Sequence, residues 1–174
     1  MRKLILYIAA SLDGFIADKE NKLDWLTVYT GEYGYTEFMK SVDTVLMGRK
    51  TYEWVTAEGV THPHPEQTNY IFTSTPEKFT STEHIIFTSH SPLSVVEDLK
   101  GNNGRNIFLV GGGGLISNFV ENNLIDEYIL FVVPVLLGSG IPLFHRMPRT
   151  VHLETMSVRR HDDGMIELRL KRIP

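Results

Sequence analysis

Two stretches of the sequence place phosphate-binding chemistry at the end of an apolar run. In LMGRKTYE, Leu46–Glu53, Gly48 is followed by Arg49, Lys50 and the Thr51 hydroxyl. In FLVGGGGLI, Phe108–Ile116, the glycines Gly111, Gly112, Gly113 and Gly114 lead into Leu115. Each reads as a strand, a glycine corner and a helix start. The first N–H groups of a helix lack internal partners and its dipole favours negative charge, so such a corner is a ready anion site. Glycine lets a phosphate or a flat ring come close to the main chain. Arginine offers a planar fork for phosphate, and hydroxyls complete the shell. Bland readings compete: a tight turn with close helix–sheet packing for the glycines, a solvated helix start for Arg49 and Lys50. Two such corners in one sheet point to a ligand with more than one phosphate. The glycines do not match GxGxxG, because Ser117 stands where the last glycine belongs, and no GK[ST] follows.

Other chemistry-bearing residues are more ambiguous. Asp13, in SLDGFIA, is either an acid bordering a site or a turn aspartate bonding its own main chain before Gly14. His62 and His64, each flanked by proline, and His84 lack zinc-like spacing and read as solvated loop histidines. RRHDDG, Arg159–Gly164, reads as a charged hairpin tip with too few arginines for a nucleic-acid stripe. Trp25 lies in a variable polar stretch and either covers substrate or plugs the edge of the core.

Composition narrows the classes. The chain has 174 residues, 42% of them hydrophobic, and a formal net charge of −4, which argues against nucleic acid as the main partner. Cysteine is absent, which excludes disulfides, thiolate metal sites and cysteine nucleophiles and suits a reducing, cytoplasmic setting. The N-terminal MRKLILYIAASLDG breaks at Ser11 and Asp13 and reads as a buried strand, not a targeting segment. No run is long enough to span a membrane.

The elements that must carry these residues are short buried strands alternating with helices. Lys3–Ala10, Thr44–Gly48, Asn69–Ser74, His84–Ser89, the run into Gly111 and the run around Ile129–Leu137 read as strands. SPLSVVEDLKG has proline near a helix start and glycine near its end. LISNFVENN reads as a helix with Leu115, Phe119 and Val120 on one side. The tail is a hairpin turning at Asp163-Gly164, with Leu168 and Leu170 on an apolar face and the other face solvated. The expected fold is a single α/β domain over residues 1–174: helices on both faces of a mixed, mostly parallel sheet, closed by an antiparallel hairpin.

AASLDGFIA, DTVLMGRKTYE, IFLVGGGGLI and LIDEYILFVVPVLLGSGIPLF, in that order, resemble the dihydrofolate-reductase-like superfamily. The closer likeness is to the reductase domain of bifunctional riboflavin-biosynthesis deaminase–reductases and its uncharacterised stand-alone members. The resemblance implies NADPH as cofactor, a small-molecule substrate and a homodimer. It puts Gly48, Arg49, Lys50 and Thr51 at the cofactor phosphates and Ser74 at the adenosine 2′-phosphate. Gly111–Gly114 and Leu115 would lie near the nicotinamide half, with a cis bond at Gly111-Gly112, and Ala9 and Ile16 beside the nicotinamide ring. Asp13, Trp25 and Ser139 become candidates for the substrate side, Asp13 also for catalysis. For Ser139 the competing account is a tight loop that lets Ile141, Leu143 and Phe144 pack.

The implied activity is reduction of a small polar heterocycle or sugar derivative, with 5-amino-6-(5-phosphoribosylamino)uracil as the pathway substrate. The zinc motif of the deaminase half cannot exist without cysteine. The alternatives are a noncatalytic ligand-binding or structural homodimer and a true dihydrofolate reductase. Against the latter, the place of the pterin-gripping acid falls at Gly34, counting back from Phe38, with Glu32 and Glu37 out of helical register.

Overall fold

An eight-residue apolar strand, β1 (Leu4–Ser11), forms the middle of the molecule, flanked by parallel neighbours on both sides. Its near-continuous apolar character follows from burial on both faces. The structure, a computed structural model, describes residues 1–57, 59–60, 62–145 and 148–173. The remaining elements are β2 (Phe15–Ala17), α1 (Tyr35–Lys40), β3 (Val42–Gly48), α2 (Arg49–Ala57), β4 (Thr68–Phe72), β5 (Ile85–Thr88) and α3 (Pro92–Gly101). They continue with β6 (Asn106–Gly111), α4 (Gly113–Glu121), β7 (Glu127–Val133), β8 (Ile141–Pro142), β9 (Leu153–Arg160) and β10 (Ile166–Arg172).

The main sheet runs β5-β4-β3-β6-β1-β7-β10-β9. The pairs from β5 to β7 are parallel, and β10 is antiparallel to both β7 and β9. Period-two alternation along β1 divides the core. Leu4, Leu6 and Ala10 join Val95, Val96, Ile116, Phe119 and Val120 of α3 and α4 on one face. Ile5 joins Phe38 of α1, with Tyr7, Ala9 and Tyr52 of α2 against the other. The result is the expected three-layer α/β/α arrangement closed by an antiparallel hairpin. No helix among the described residues is long and apolar enough to cross a membrane.

Three local readings change. On α4 the fully buried positions are Ile116 and Phe119, with Val120 beside them, whereas Leu115 is half-buried at the helix margin. Residues i, i+3 and i+4 share a helix face, and the face is set by Ile116. A small two-stranded ribbon, β2 with β8, was not expected, because each strand is too short to show a period. The hairpin face expected to be solvated is covered at Glu167, which is 5% exposed.

The N-terminus is fastened by Arg2, itself 8% exposed. Its guanidinium donates to Asp43, to the Thr44 hydroxyl (2.6 Å) and to the carbonyls of Arg105 (2.8 Å) and Leu99 (3.2 Å). A buried cation with each of its three nitrogens directed at oxygen is tolerated where a lone one would not be.

Candidate functional site

The strand order makes a switch point between β3 and β6. The connection after β3 passes through α2 to β4 on one side. That after β6 passes through α4, on the opposite face, to β7 beyond β1. Adjacent parallel strands whose connections diverge leave a crevice at their carboxyl ends, where open α/β sheets bind ligands. Both glycine corners open into it. A Cβ on Gly48 would lie 3.8 Å from the Gly111 carbonyl oxygen and the Gly112 nitrogen. One on Gly112 would lie 3.3 Å from the Thr51 hydroxyl oxygen. The Gly111-Gly112 peptide is cis.

The four glycines answer to different neighbours. Gly111 has φ +131°, which side chains rarely adopt. A Cβ on Gly113 would fall 2.3 Å from the carbonyl oxygen of Pro142 in β8, so backbone packing excludes it. Gly114 has nothing within 4 Å of its Cβ position. It forms the wall of a cleft of about 410 Å³ together with Gly48, Ser74, Leu115, Thr88 and His90. Of the sequence candidates, Gly48, Ser74, Gly114 and Leu115 are therefore gathered in one cleft. Ser117 fills the place of the missing glycine for a structural reason. Its hydroxyl donates to the Gly113 carbonyl (2.9 Å) and accepts from the His145 N–H (2.8 Å), binding the α4 start to the chain after β8.

Arg49 begins α2 and donates to both oxygens of Glu53 one turn on, at 2.6 and 2.7 Å. Both partners are over a third exposed, which leaves the pair open to exchange. Lys50 is exposed on the same first turn.

Asp13 accepts from the Ser11 hydroxyl (2.6 Å) and from the backbone N–H groups of Leu137 (3.1 Å) and Gly138 (2.7 Å). The Ser11 hydroxyl first, then these N–H groups, hold its carboxyl below the usual range. Leu137 and Gly138 belong to the loop after β7, so Asp13 reaches beyond its own turn. That loop packs Leu143 into the core at 4% exposure and leaves Ser139 exposed. Trp25 is half-buried against the α1-side core, and its indole N–H has no partner among the described residues. Ile16 packs on the opposite face, toward α4.

A second cavity, of about 340 Å³, opens on the α1 face. Ala9 lies in its wall with the rings of Tyr7, Tyr29, Tyr33, Tyr35 and Phe131, beside Leu26, Met165 and Glu32. The rings brace one another. Tyr7 stacks on Phe38 with centroids 4.7 Å apart and lies 4.8 Å from Phe131. Burial raises the Tyr7 phenol above its ordinary range, and its hydroxyl donates to the Tyr33 carbonyl (3.2 Å). Glu32 precedes α1 and caps it, accepting from the N–H groups of Gly34 (2.8 Å) and Thr36. These bonds, the Thr36 backbone first, hold the Glu32 carboxyl below its usual range. Since α1 begins only at Tyr35, helical register does not govern Glu32, and it borders the cavity despite its offset from Gly34.

The family model for the RibD C-terminal domain matches residues 2–166. The chain belongs to this family. The uncharacterized protein YwjB of Bacillus subtilis (strain 168) is 42% identical over 154 residues, 87% of this chain and 88% of YwjB. The crystal structure of a putative riboflavin biosynthesis protein from Shewanella sp. PV-4 is similar, with 27% identity, a TM-score of 0.87 and 99% of both chains covered. The dihydrofolate reductase of Enterococcus faecalis, solved with NADP(H), shares the fold at 18% identity, with a TM-score of 0.71 over 99% of this chain and 97% of that one.

In this RibD C-terminal domain, His62 and His64 differ from expectation, whereas His84 is exposed and RRHDDG forms the charged turn between β9 and β10. His64 is folded against Phe108, ring centroids 5.8 Å apart, and burial lowers its pKa to about 4. His62 stands 6.0 Å from His84 with both ring nitrogens buried and unpartnered among the described residues. RRHDDG braces the aromatic wall from behind, through Tyr33. His161 packs edge-on to Tyr33 at 5.0 Å and meets Glu167 at 3.1 Å, while Asp163 accepts from the Tyr33 hydroxyl. The sequence signal for the second cavity is the tyrosine-rich run Tyr29–Tyr35.

Proposed function

We propose that the protein is an NADPH-dependent reductase of a small cyclic substrate. The observation that supports this best is the pair of glycine corners facing each other across the β3–β6 crevice, with Gly114 left open toward the cleft. NADPH suits that cleft chemically. Gly48, Thr51, Gly112 and Gly114 would meet it with main chain and hydroxyl, and Arg49 would leave Glu53 for a phosphate. Ser74 would take the 2′-phosphate. When bound, the cofactor supplies the hydride, and the protein's part is to orient it and exclude water. Ala9, in the wall of the aromatic cavity, would stand between cofactor and substrate. Asp13 would act through its hold on Leu137 and Gly138, which keeps the loop after β7 in place beside the crevice. Trp25 and Ser139 would influence the substrate only from the surrounding loops.

The test is titration of the protein with NADPH and NADH, followed by tryptophan quenching and calorimetry. Micromolar binding with preference for NADPH is expected. No binding of either at millimolar concentration would overturn the reading in favour of a noncatalytic homodimer.

A homodimer is proposed in either case, with a cytoplasmic location. The supporting feature is β9, an edge strand paired on one side only, which leaves Met156 (52%) and Val158 (63%) exposed. Such an edge is a template for another chain. Light scattering should give twice the 19.8 kDa chain mass, and Val158→Lys should halve it.

A further inference from the structure

We infer that the substrate of this domain is a flat ring compound without a phosphate group, neutral or cationic. The inference rests on the reductase reading above and concerns the aromatic cavity. A cavity of about 340 Å³ is at the small end for ligand sites, enough for one or two fused rings. Its walls are tyrosine and phenylalanine rings set by mutual packing, which favours a planar guest stacked between them.

Charge decides against phosphate. Glu32 is the only lining residue that carries a charge, and no lysine or arginine lines the cavity among the described residues. Glu32 cannot readily become neutral to accommodate an anion, because two N–H groups already bind its carboxylate. Two cations act on the lining residues Glu32 and Tyr7, and both are paired elsewhere. Lys40 donates to Glu37 at 2.6 Å. Arg169 donates to Glu167 at 2.5 Å, and Glu167 also holds His161. A phosphate brought here would lose its hydration and gain only a carboxylate neighbour. A cation would gain both the carboxylate and the faces of the tyrosine rings. The cavity therefore selects against a phosphoribosyl substrate while keeping the place where a ring would be reduced beside Ala9.

Three naphthyl probes of different charge test this: naphthalen-1-ylmethanol, 1-naphthylmethylammonium and 1-naphthyl phosphate. Each is titrated calorimetrically into the whole chain, with and without NADPH. The neutral and cationic probes should bind at least tenfold more tightly than the phosphate. In Leu26→Arg, which adds a cation to the wall, the phosphate should gain at least tenfold and the ammonium should weaken. Equal or tighter binding of the phosphate by the unaltered protein would overturn the inference. So would failure of all three probes, or a Leu26→Arg variant that folds normally and leaves the order unchanged. The NADPH titration is read separately. Loss of NADPH binding with the probe order intact would remove the cofactor reading and leave the cavity's preference standing.

Discussion

Gly113 and Gly114 are adjacent, both lie in the first turn of α4, and substitution by alanine should have opposite consequences at the two positions. At Gly113 the new methyl would sit 2.3 Å from the Pro142 carbonyl oxygen and 3.2 Å from His145 Nε2. Neither side can yield without separating α4 from β8, an overpacking cost of about 1–3 kcal/mol. For a chain of this size that lowers Tm by roughly 3–9 °C. At Gly114 the methyl meets nothing within 4 Å. Alanine there gains about 0.5–1 kcal/mol from helix propensity and should raise Tm by roughly 1–3 °C. If the cofactor closes onto that bare backbone, the same methyl must be displaced or the cofactor must withdraw. We expect Gly114→Ala to weaken NADPH at least tenfold, about 1.4 kcal/mol. Thermal melts and calorimetric titration of both variants supply the assay. A Gly114→Ala protein that is as stable as the parent or more so, and binds NADPH within about twofold of it, would refute the claim that this glycine faces the ligand. A destabilised Gly114→Ala would refute the claim that the space is open.

Three other perturbations address separate parts of the molecule. Arg49→Glu should weaken NADPH about tenfold to a hundredfold, the worth of a charge-assisted hydrogen bond. Glu53→Gln, which releases Arg49, should preserve or improve affinity, and equal affinity across the three proteins would remove Arg49 from the phosphate shell. His64 remains neutral down to about pH 4 when folded, against an ordinary 6.5. Between those values the unfolded chain binds more protons, so stability is full above pH 6.5 and falls as pH drops toward 4. The loss is about 1.4 kcal/mol per pH unit and ~3 kcal/mol in all. Urea denaturation at pH 4.5 and 7.5 should show it, and His64→Phe should flatten it. Arg2→Met should cost about 3–5 kcal/mol by leaving Asp43 without its cation, with part recovered in Arg2→Met/Asp43→Asn.

The two ends of the site differ in how far they could be read from sequence, and the difference is physical. The glycine corners are written in contiguous motifs, because a helix N-terminus needs only its own strand, its own glycine and its own first turn to present N–H groups. Gly48, Thr51, Gly111, Gly112 and Gly114 therefore stand out in the sequence. Ser117 and Gly113 declared themselves only in part. Their partners, His145 and Pro142, are brought to them by a two-residue strand that carries no periodic signal. Glu167 lies at an alternating position that should face solvent, and it is buried because His161, turned back by the hairpin, covers it. His64 misled for the converse reason: proline on both sides predicts irregular backbone but says nothing of where the ring packs.

The aromatic cavity takes this contrast further. Its wall is drawn from β1, the 3₁₀ turn at Asp24–Leu26, the loop before α1, β7 and the start of β10, segments separated by most of the chain. No local pattern can encode such a surface. Substitutions at Leu26, Tyr29 or Tyr35 touch neither the backbone of the crevice nor the packing of α4. Cofactor affinity and ring preference should therefore respond to different residues. In Leu26→Arg, a changed probe order with unchanged NADPH affinity would show that independence. A parallel loss of both would mean that the walls of the cavity also set the crevice, and that the cofactor corner is less self-contained than its motifs imply.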